Sequence, residues 1–184
     1  MLHLIVPISP EGWDEQKQEF VAPRSQELNL EHSLVALSKW ESKWKKPFLS
    51  KDEKTSEETI DYVKCMTIVA DGETIDPEVY DHLTRENVEA IKNYIEDPMT
   101  ATTFSREPGG KNSHEVVTSE LIYYWMCAAQ VPVEFQHWHL NRLLTLLRVC
   151  SAKNAPPKKM SQRDTMARYK ALNEARRKEF NSKG

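Results

Sequence analysis

"EHSLVALSKWESKWKKPFL", residues 31–49, carries its large apolar side chains at Leu34, Leu37, Trp40 and Trp44, with Val35 beside them. Intervals of three and four return to one face of an α-helix, so the spacing predicts a helix over 33–44 with an apolar stripe. Lys39, Glu41, Lys43 and Lys45 fall mostly on the other face. Lys46-Pro47 ends the run, because the residue before a proline is pushed out of the helical region. Indoles four residues apart among lysines could stack on nucleic-acid bases, worth about 1–3 kcal/mol per base, but stacking needs exposed rings. Burying rings of that area stabilises a small domain by at least as much. Their place on the Leu34/Leu37 stripe assigns both to the core, with lysine stems along the rim.

Upstream, "LHLIVPI" (2–8) and "QELNLEH" (26–32) alternate apolar and polar residues and are expected to pair as a small hairpin, joined by a polar loop punctuated by Pro10, Gly12 and Pro23. Downstream, Thr55 with Glu58 reads as a capping box opening a helix over 56–68. Asp76-Pro77 opens a short helix through Val79, Tyr80 and Leu83, and Thr84 is placed to cap one over 85–95 that carries Val88, Ile91 and Ile95. "MTATTFSREPGGKNS" (99–113) reads as an extended segment running into a loop at Pro108-Gly109-Gly110. "HEVVTSELIYYWMCAAQ" is the most apolar stretch and is expected to form a central helix over 114–129, paired antiparallel through Val131-Pro132 with a helix over 133–151. "KNAPPKKMS" (153–161) reads as a hinge, and Ser161 with Asp164 as the cap of a last helix over 162–180. Its apolar residues are sparse: Met166, Tyr169, Ala171, Leu172 and Phe180.

The expected fold is mainly α: a single helical domain with a small N-terminal β-hairpin and a basic C-terminal helical arm, the body being 1–152 and the arm 153–184. A chain of 184 residues is long enough for one real core, and 29% charged residues with only 5 glycines favour helices over glycine-cornered sheets. The core is expected to contain Leu34, Leu37, Trp40, Trp44, Ile60, Val63, Val88, Ile91, Leu121, Trp125, Phe135, Trp138, Leu143 and Leu147.

The net charge of -3 hides an asymmetry, since the arm carries +7 and the body -10. No stretch approaches the roughly 18 apolar residues that span a bilayer, and the start lacks a basic segment before its short apolar run, so a soluble cytoplasmic protein with no membrane partner is expected. Cys65, Cys127 and Cys150 are odd in number and widely spaced, which predicts buried, reduced thiols rather than a disulfide framework or metal site.

No constellation reads as a reaction centre. His137 and His139 are two apart, which on a helix points them roughly 200° from each other, whereas a shared metal wants a spacing of three or four. One is expected at the surface and the other beside Trp138. Cys127 or Cys150 with His114 or His137 lacks any local signature of a catalytic cysteine, Ser119-Glu120 belongs to no paired-carboxylate pattern, and Gly109-Gly110 is a turn rather than a phosphate loop. Catalytic, cofactor-binding and metal residues are expected to be none, and no cofactor is implied.

The arm is the better candidate. Lys158, Lys159, Arg163, Arg168, Lys170, Arg176, Arg177 and Lys178 offer a long positive surface that suits phosphates, the acidic body of a neighbouring copy, or water alone. Arg163, Arg168, Tyr169, Leu172, Arg176 and Arg177 are the expected partner contacts.

In order along the chain, "LEHSLVALSKWESKWKKPFLS", "EETIDYVKCMT", "PEVYDHLT", "PMTATTF", "SELIYYWM", "WHLNRLLTLLRVC" and "NAPPKKMS" resemble a family of small proteins encoded by tailed bacteriophages, the tail assembly chaperones and related tail-gene structural proteins. The resemblance implies a non-enzymatic protein that binds the tape-measure protein and recruits tail-tube subunits in the host cytoplasm during phage assembly. It further implies that some members exist in a longer, frameshifted form, and it brings no catalytic residues. The alternatives it leaves are a virion structural protein, such as a connector or tail-tube-associated subunit, and a nucleic-acid-binding protein acting through the arm. Self-association is compatible with all three.

Overall fold

The computed structural model describes residues 1–9, 12–14, 18–69, 72–104, 116–155 and 162–180. The fold is mainly α, with a small antiparallel sheet at the N-terminus. By internal contacts the chain divides into two units, Met1–Ser151 and Ala152–Gly184.

In the first unit, β1 (Leu2–Ser9) pairs antiparallel with β4 (Arg24–Leu30), and the register sets Leu2 opposite Leu30, Leu4 opposite Leu28 and Val6 opposite Gln26. Alternation does the sorting: Leu4, Val6, Leu28 and Leu30 are buried, while Ile5, on the other face, is 64% exposed. Two further features were not expected. Inside the long connection, β2 (Gly12–Asp14) and β3 (Glu19–Val21) form a second small ladder, and β5 (Thr67–Ile68) extends the main sheet beside Asn29 and Leu30. Backbone pairing, not side-chain pattern, creates β5: it directly follows a helix whose period masks it.

Helix α1 (Leu34–Trp44) is capped by Ser33 and ends in Lys45, which adopts a left-handed conformation (φ 55°) and returns its N–H to the Glu41 carbonyl. The helix thus stops one residue before the constraint imposed by Pro47 applies. α2 (Ser56–Met66) opens with the reciprocal Thr55/Glu58 capping box, and α3 (Arg85–Glu96) with an equivalent one between Thr84 and Asn87. Between them, Pro77–His82 forms a 3-10 helix capped by the Asp76 carboxylate.

Two buried clusters share α1. Ala36 and Trp40 pack with the sheet leucines, Tyr62, Val63, Met66, Val79, Tyr80, Ile91 and Tyr94. Leu34 and Leu37 pack with Ile122, Met126, Leu140, Leu143 and Leu147. Phe48, just beyond the helix, packs against both and stacks on Tyr62 with ring centroids 3.9 Å apart. The hub is therefore α1, not the helix expected to be central.

Several expectations are corrected. The helix expected over 114–129 is α4 (Ser119–Ala128): 116–118 are not helical, and Thr118 is its N-cap with extended backbone. The helix expected over 133–151 is two elements, a 3-10 helix over Val133–His137 and α5 (Leu140–Asn154), separated by Trp138 in extended conformation and by an antiparallel bridge between Ser33 and His139. Val88 is 54% exposed, because the α3 face that meets the core is the one carrying Ile91 and Tyr94. Trp44, Ile60, Leu121, Trp125, Phe135 and Trp138 are half-buried rather than enclosed. Glu41, assigned to the solvent face, is only 8% exposed. The loop expected at Pro108-Gly109-Gly110, His114, most of the hinge and Ser161 lie outside the described residues.

The second unit contains α6 (Gln162–Glu179). It has neither glycine nor proline, and it is rich in Ala, Arg, Lys, Leu, Met and Glu, residues that lose little freedom in a helix. Among the described residues, no helix is long and apolar enough to cross a membrane.

Candidate functional site

All six expected partner contacts, Arg163, Arg168, Tyr169, Leu172, Arg176 and Arg177, lie on α6 and all are exposed. At 100° per residue, Tyr169, Leu172 and Arg176 fall within a sector of about 60°, which widens to about 120° with the neighbouring Met166, whereas Arg163 and Arg177 lie on one flank and Arg168 on the other. The six thus form a ridge with basic margins rather than one uniformly positive face. Met166, Tyr169, Leu172 and Phe180 are 74%, 64%, 44% and 72% exposed. A helix of 18 residues extends about 27 Å at 1.5 Å per residue, enough for several turns of a partner.

The histidines form a different constellation from the one their spacing suggested. They do not share a helix, because the backbone straightens at Trp138. His137 is exposed and its Nδ1 lies 3.3 Å from Glu31 Oε1. His139 turns inward, not against Trp138, which stacks on Phe135 and carries Arg142 over its ring 4.1 Å from the centroid. Instead, the His139 ring meets His32 at 5.0 Å and Tyr94 at 4.9 Å, both edge to face.

His32 sits at the corner between β4 and α1 and is 2% exposed. Burial, reinforced by the neighbouring imidazole of His139, pushes its pKa down to about 3, so the ring is neutral. Its Nδ1 lies 2.7 Å from the Tyr62 hydroxyl, whose pKa burial holds well above the usual phenol range. The phenol keeps its proton and stays hydrogen-bonded to the neutral ring. His139, also lowered by burial, donates from Nε2 to the Tyr94 carbonyl at 2.9 Å. Its Nδ1 is buried with no hydrogen-bond partner among the described residues. Leu140 N–H donates to the His32 carbonyl at 2.8 Å, so ring contacts and backbone pairing coincide here. The cluster joins β4, α2, α3 and the start of α5. It is a fastening built of imidazoles and phenols, and among the described residues no group of three or more His, Cys, Asp or Glu side chains could hold a metal ion.

A surface cleft of about 560 Å³ runs between the start of β4 and residues 74–77, lined by Ile8, Arg24, Gln26, Ile75 and Asp76 among others. Much of its polar chemistry is already committed. The Gln26 side-chain amide donates to Thr74 O at 3.0 Å and accepts from Asp76 N at 3.1 Å, while the Asp76 carboxylate accepts from Glu78 N.

The cysteines are unpaired, but burial holds for none of them in full: Cys65 and Cys150 are half-buried and Cys127 is exposed. Ser119 is buried, its N–H donating to the Glu41 carboxylate at 2.7 Å. Glu41 and His32 are what sequence reading missed. The proximity of His32 to a helix start carried no signal that it would be enclosed. Glu41, between Trp40 and Trp44 on the buried side of the stripe, carried a faint one.

No family model matches the chain, and neither a curated protein nor a solved structure matches it.

Proposed function

We propose that this protein is a non-enzymatic phage tail assembly chaperone, which binds a helical client of the tape-measure class in the host cytoplasm and helps bring tail-tube subunits to it. The observation that carries the reading is α6: eighteen residues of helix with Met166, Tyr169 and Leu172 exposed along one ridge, held in a unit distinct from the body. An exposed ridge of this kind on a solvated helix is the form taken by helices that lie in a groove or against another helix. The body supports the reading by its chemistry. Its buried histidines and glutamate are spent on fastening elements together, and the cleft's polar groups bind its own backbone.

The test is co-expression of the full chain with a phage tape-measure protein from the same genome, reading co-purification and client solubility. Capture by the wild-type chain and loss with Tyr169→Glu/Leu172→Glu, a change confined to exposed positions, is the expected result. A client that stays insoluble, or is captured equally by the double variant, overturns it. Persistence of the chain at stoichiometric level in purified virions would favour a structural subunit of the tail instead.

A further inference from the structure

We propose that α6 is one strand of a two-stranded coiled coil whose other strand is an acidic helix of a different protein. The proposal rests on the client-binding reading above and specifies the chemistry of the client. Met166, Tyr169, Asn173, Arg176 and Phe180 recur at intervals of three, four, three and four, the spacing that keeps a seam facing one partner helix. Met166, Tyr169 and Phe180 are mostly exposed, so the apolar part of that seam is uncovered in this chain.

The flank supplies the charge. Arg163, Lys170 and Arg177 stand seven residues apart, at the position immediately beside the seam where coiled coils choose their partners electrostatically. None of the three has an ion pair among the described residues. A partner helix with a carboxylate every seventh residue on its facing flank meets all three.

The seam narrows the choice further. Asn173 at its centre is a polar core residue of the kind that fixes register and two-strandedness at a cost in stability. Arg176 one turn on requires a carboxylate or a backbone carbonyl opposite it, since a guanidinium enclosed by apolar groups would be unpaired. A second copy of this chain fits badly. In parallel, Arg176 would face Arg176, and Lys170 and Arg177 would face Thr165 and Leu172; in antiparallel, the basic flanks would meet each other. Nucleic acid would use the cations but leave the 3-4 apolar ridge without purpose.

The experiment uses the full chain and two synthetic helical peptides of about four heptads, with Ile and Leu in the seam except for one Asn set to face Asn173 and one Glu set to face Arg176. One peptide carries Glu at both flanking positions of every heptad, and the other Lys. Fluorescence anisotropy at low and high salt reads the binding. The Glu peptide is expected to bind at least about tenfold tighter than the Lys peptide, with the difference shrinking in salt. Arg163→Glu/Lys170→Glu/Arg177→Glu is expected to reverse the preference while circular dichroism keeps its helix content. Equal binding of both peptides, binding of neither, an unreversed preference, or dimerisation of the chain through α6 would overturn the proposal. A tape-measure client captured equally by wild type and this triple variant would overturn it alone, leaving the chaperone reading intact, whereas no capture by either removes the reading beneath it.

Discussion

The carboxylate of Glu41, in the last turn of α1, accepts the backbone N–H of Ser119 at 2.7 Å through one oxygen and that of Phe48 at 2.9 Å through the other. Ser119 is the first residue of α4, so a negative charge from one helix sits at the positive end of another, where orphan N–H groups await an acceptor. The same side chain anchors the chain as it leaves α1. One buried carboxylate thus fixes both the exit from the hub helix and the approach of the second cluster to it.

Glu41→Gln tests that role. The substituted amide offers one acceptor oxygen where two N–H groups now converge, and its own NH2 faces a donor. We expect a loss on the order of 2–4 kcal/mol, because hydrogen bonds to a charged group are the stronger kind and one buried donor is left unpaired. Urea unfolding checks it. A change under about 0.5 kcal/mol, the range of an ordinary surface substitution, would remove Glu41 from the account.

Trp40 and Trp44 are expected to separate in the same measurement. Trp40 is 1% exposed and donates from Nε1 to the Glu58 carbonyl at 2.8 Å. Trp40→Ala should cost about 3–5 kcal/mol, as large core truncations do. Trp44 is half-buried and donates to Asp61 Oδ2 at 2.9 Å, a carboxylate that also pairs with Lys43 and so keeps a partner when the indole is lost. Trp44→Ala should therefore cost clearly less. Acrylamide should reach Trp44 and not Trp40 in variants whose other four tryptophans are replaced by phenylalanine.

Why the sequence revealed some of this and not the rest follows from the range of the signals. Capping is local: Thr55 with Glu58, Asp76 before Pro77 and Thr84 all announce helix starts within four residues, and each is a cap in the structure. Alternation over 2–8 announced a strand for the same reason, and in that strand Leu4 and Val6 turn inward. Over 133–139 the apolar residues also fit a helical period, but the chain there takes a 3-10 turn and then extends so that His139 can pair with Ser33, more than a hundred residues earlier. No window of local sequence contains that partner. Val88 shows the complementary error. It lies near the Ile91/Ile95 stripe, and only the position of β1 against α3, fixed in part by Asn87 Nδ2 donating to the Ile5 carbonyl, decides which edge of the stripe is covered. On α6 the residue types and exposure were readable, while the division into ridge and flanks needed the helix bounds.

Acid should loosen the body before its carboxylates are neutralised. The folded-state pKa of His32 is about 3, below its ordinary 6.5, so on acidification the unfolded chain takes up the proton first. Stability conferred by the neutral ring is full above about pH 7 and falls by about 1.4 kcal/mol per pH unit between roughly pH 6 and 3. His139, lowered by burial, adds to the same limb. Tyr62, Tyr94 and Glu31 line the surroundings, and the Glu31 carboxylate sits on the exposed His137 rather than on His32. The carboxyls of Glu58, Asp61 and Glu120, by contrast, are held below their usual range by Lys46, by Lys43 and Trp44, and by backbone amide respectively. Their contribution is lost only below about pH 4. Urea midpoints measured from pH 7 to 4.5 should decline for the wild type, and His32→Gln should flatten that decline whatever its stability at pH 7. An unchanged slope would show that the ring is hydrated in solution.

Thiol chemistry gives a last measurement that depends on the α4 geometry. Cys127 is on the exposed face of α4, whereas Cys65 is half-buried in α2 and burial raises its pKa, lowering the fraction present as the reactive thiolate at neutral pH. Native protein treated with an aromatic disulfide reagent should therefore release one thiol equivalent in a fast phase at Cys127. Cys127→Ser should abolish that phase, and unfolding in guanidinium should expose the remaining two thiols. If Cys127 reacted no faster than Cys65, α4 would be rotated about its axis from the position that turns Ile122 and Met126 toward Leu34 and Leu37, and the second cluster would have to be rebuilt around another face.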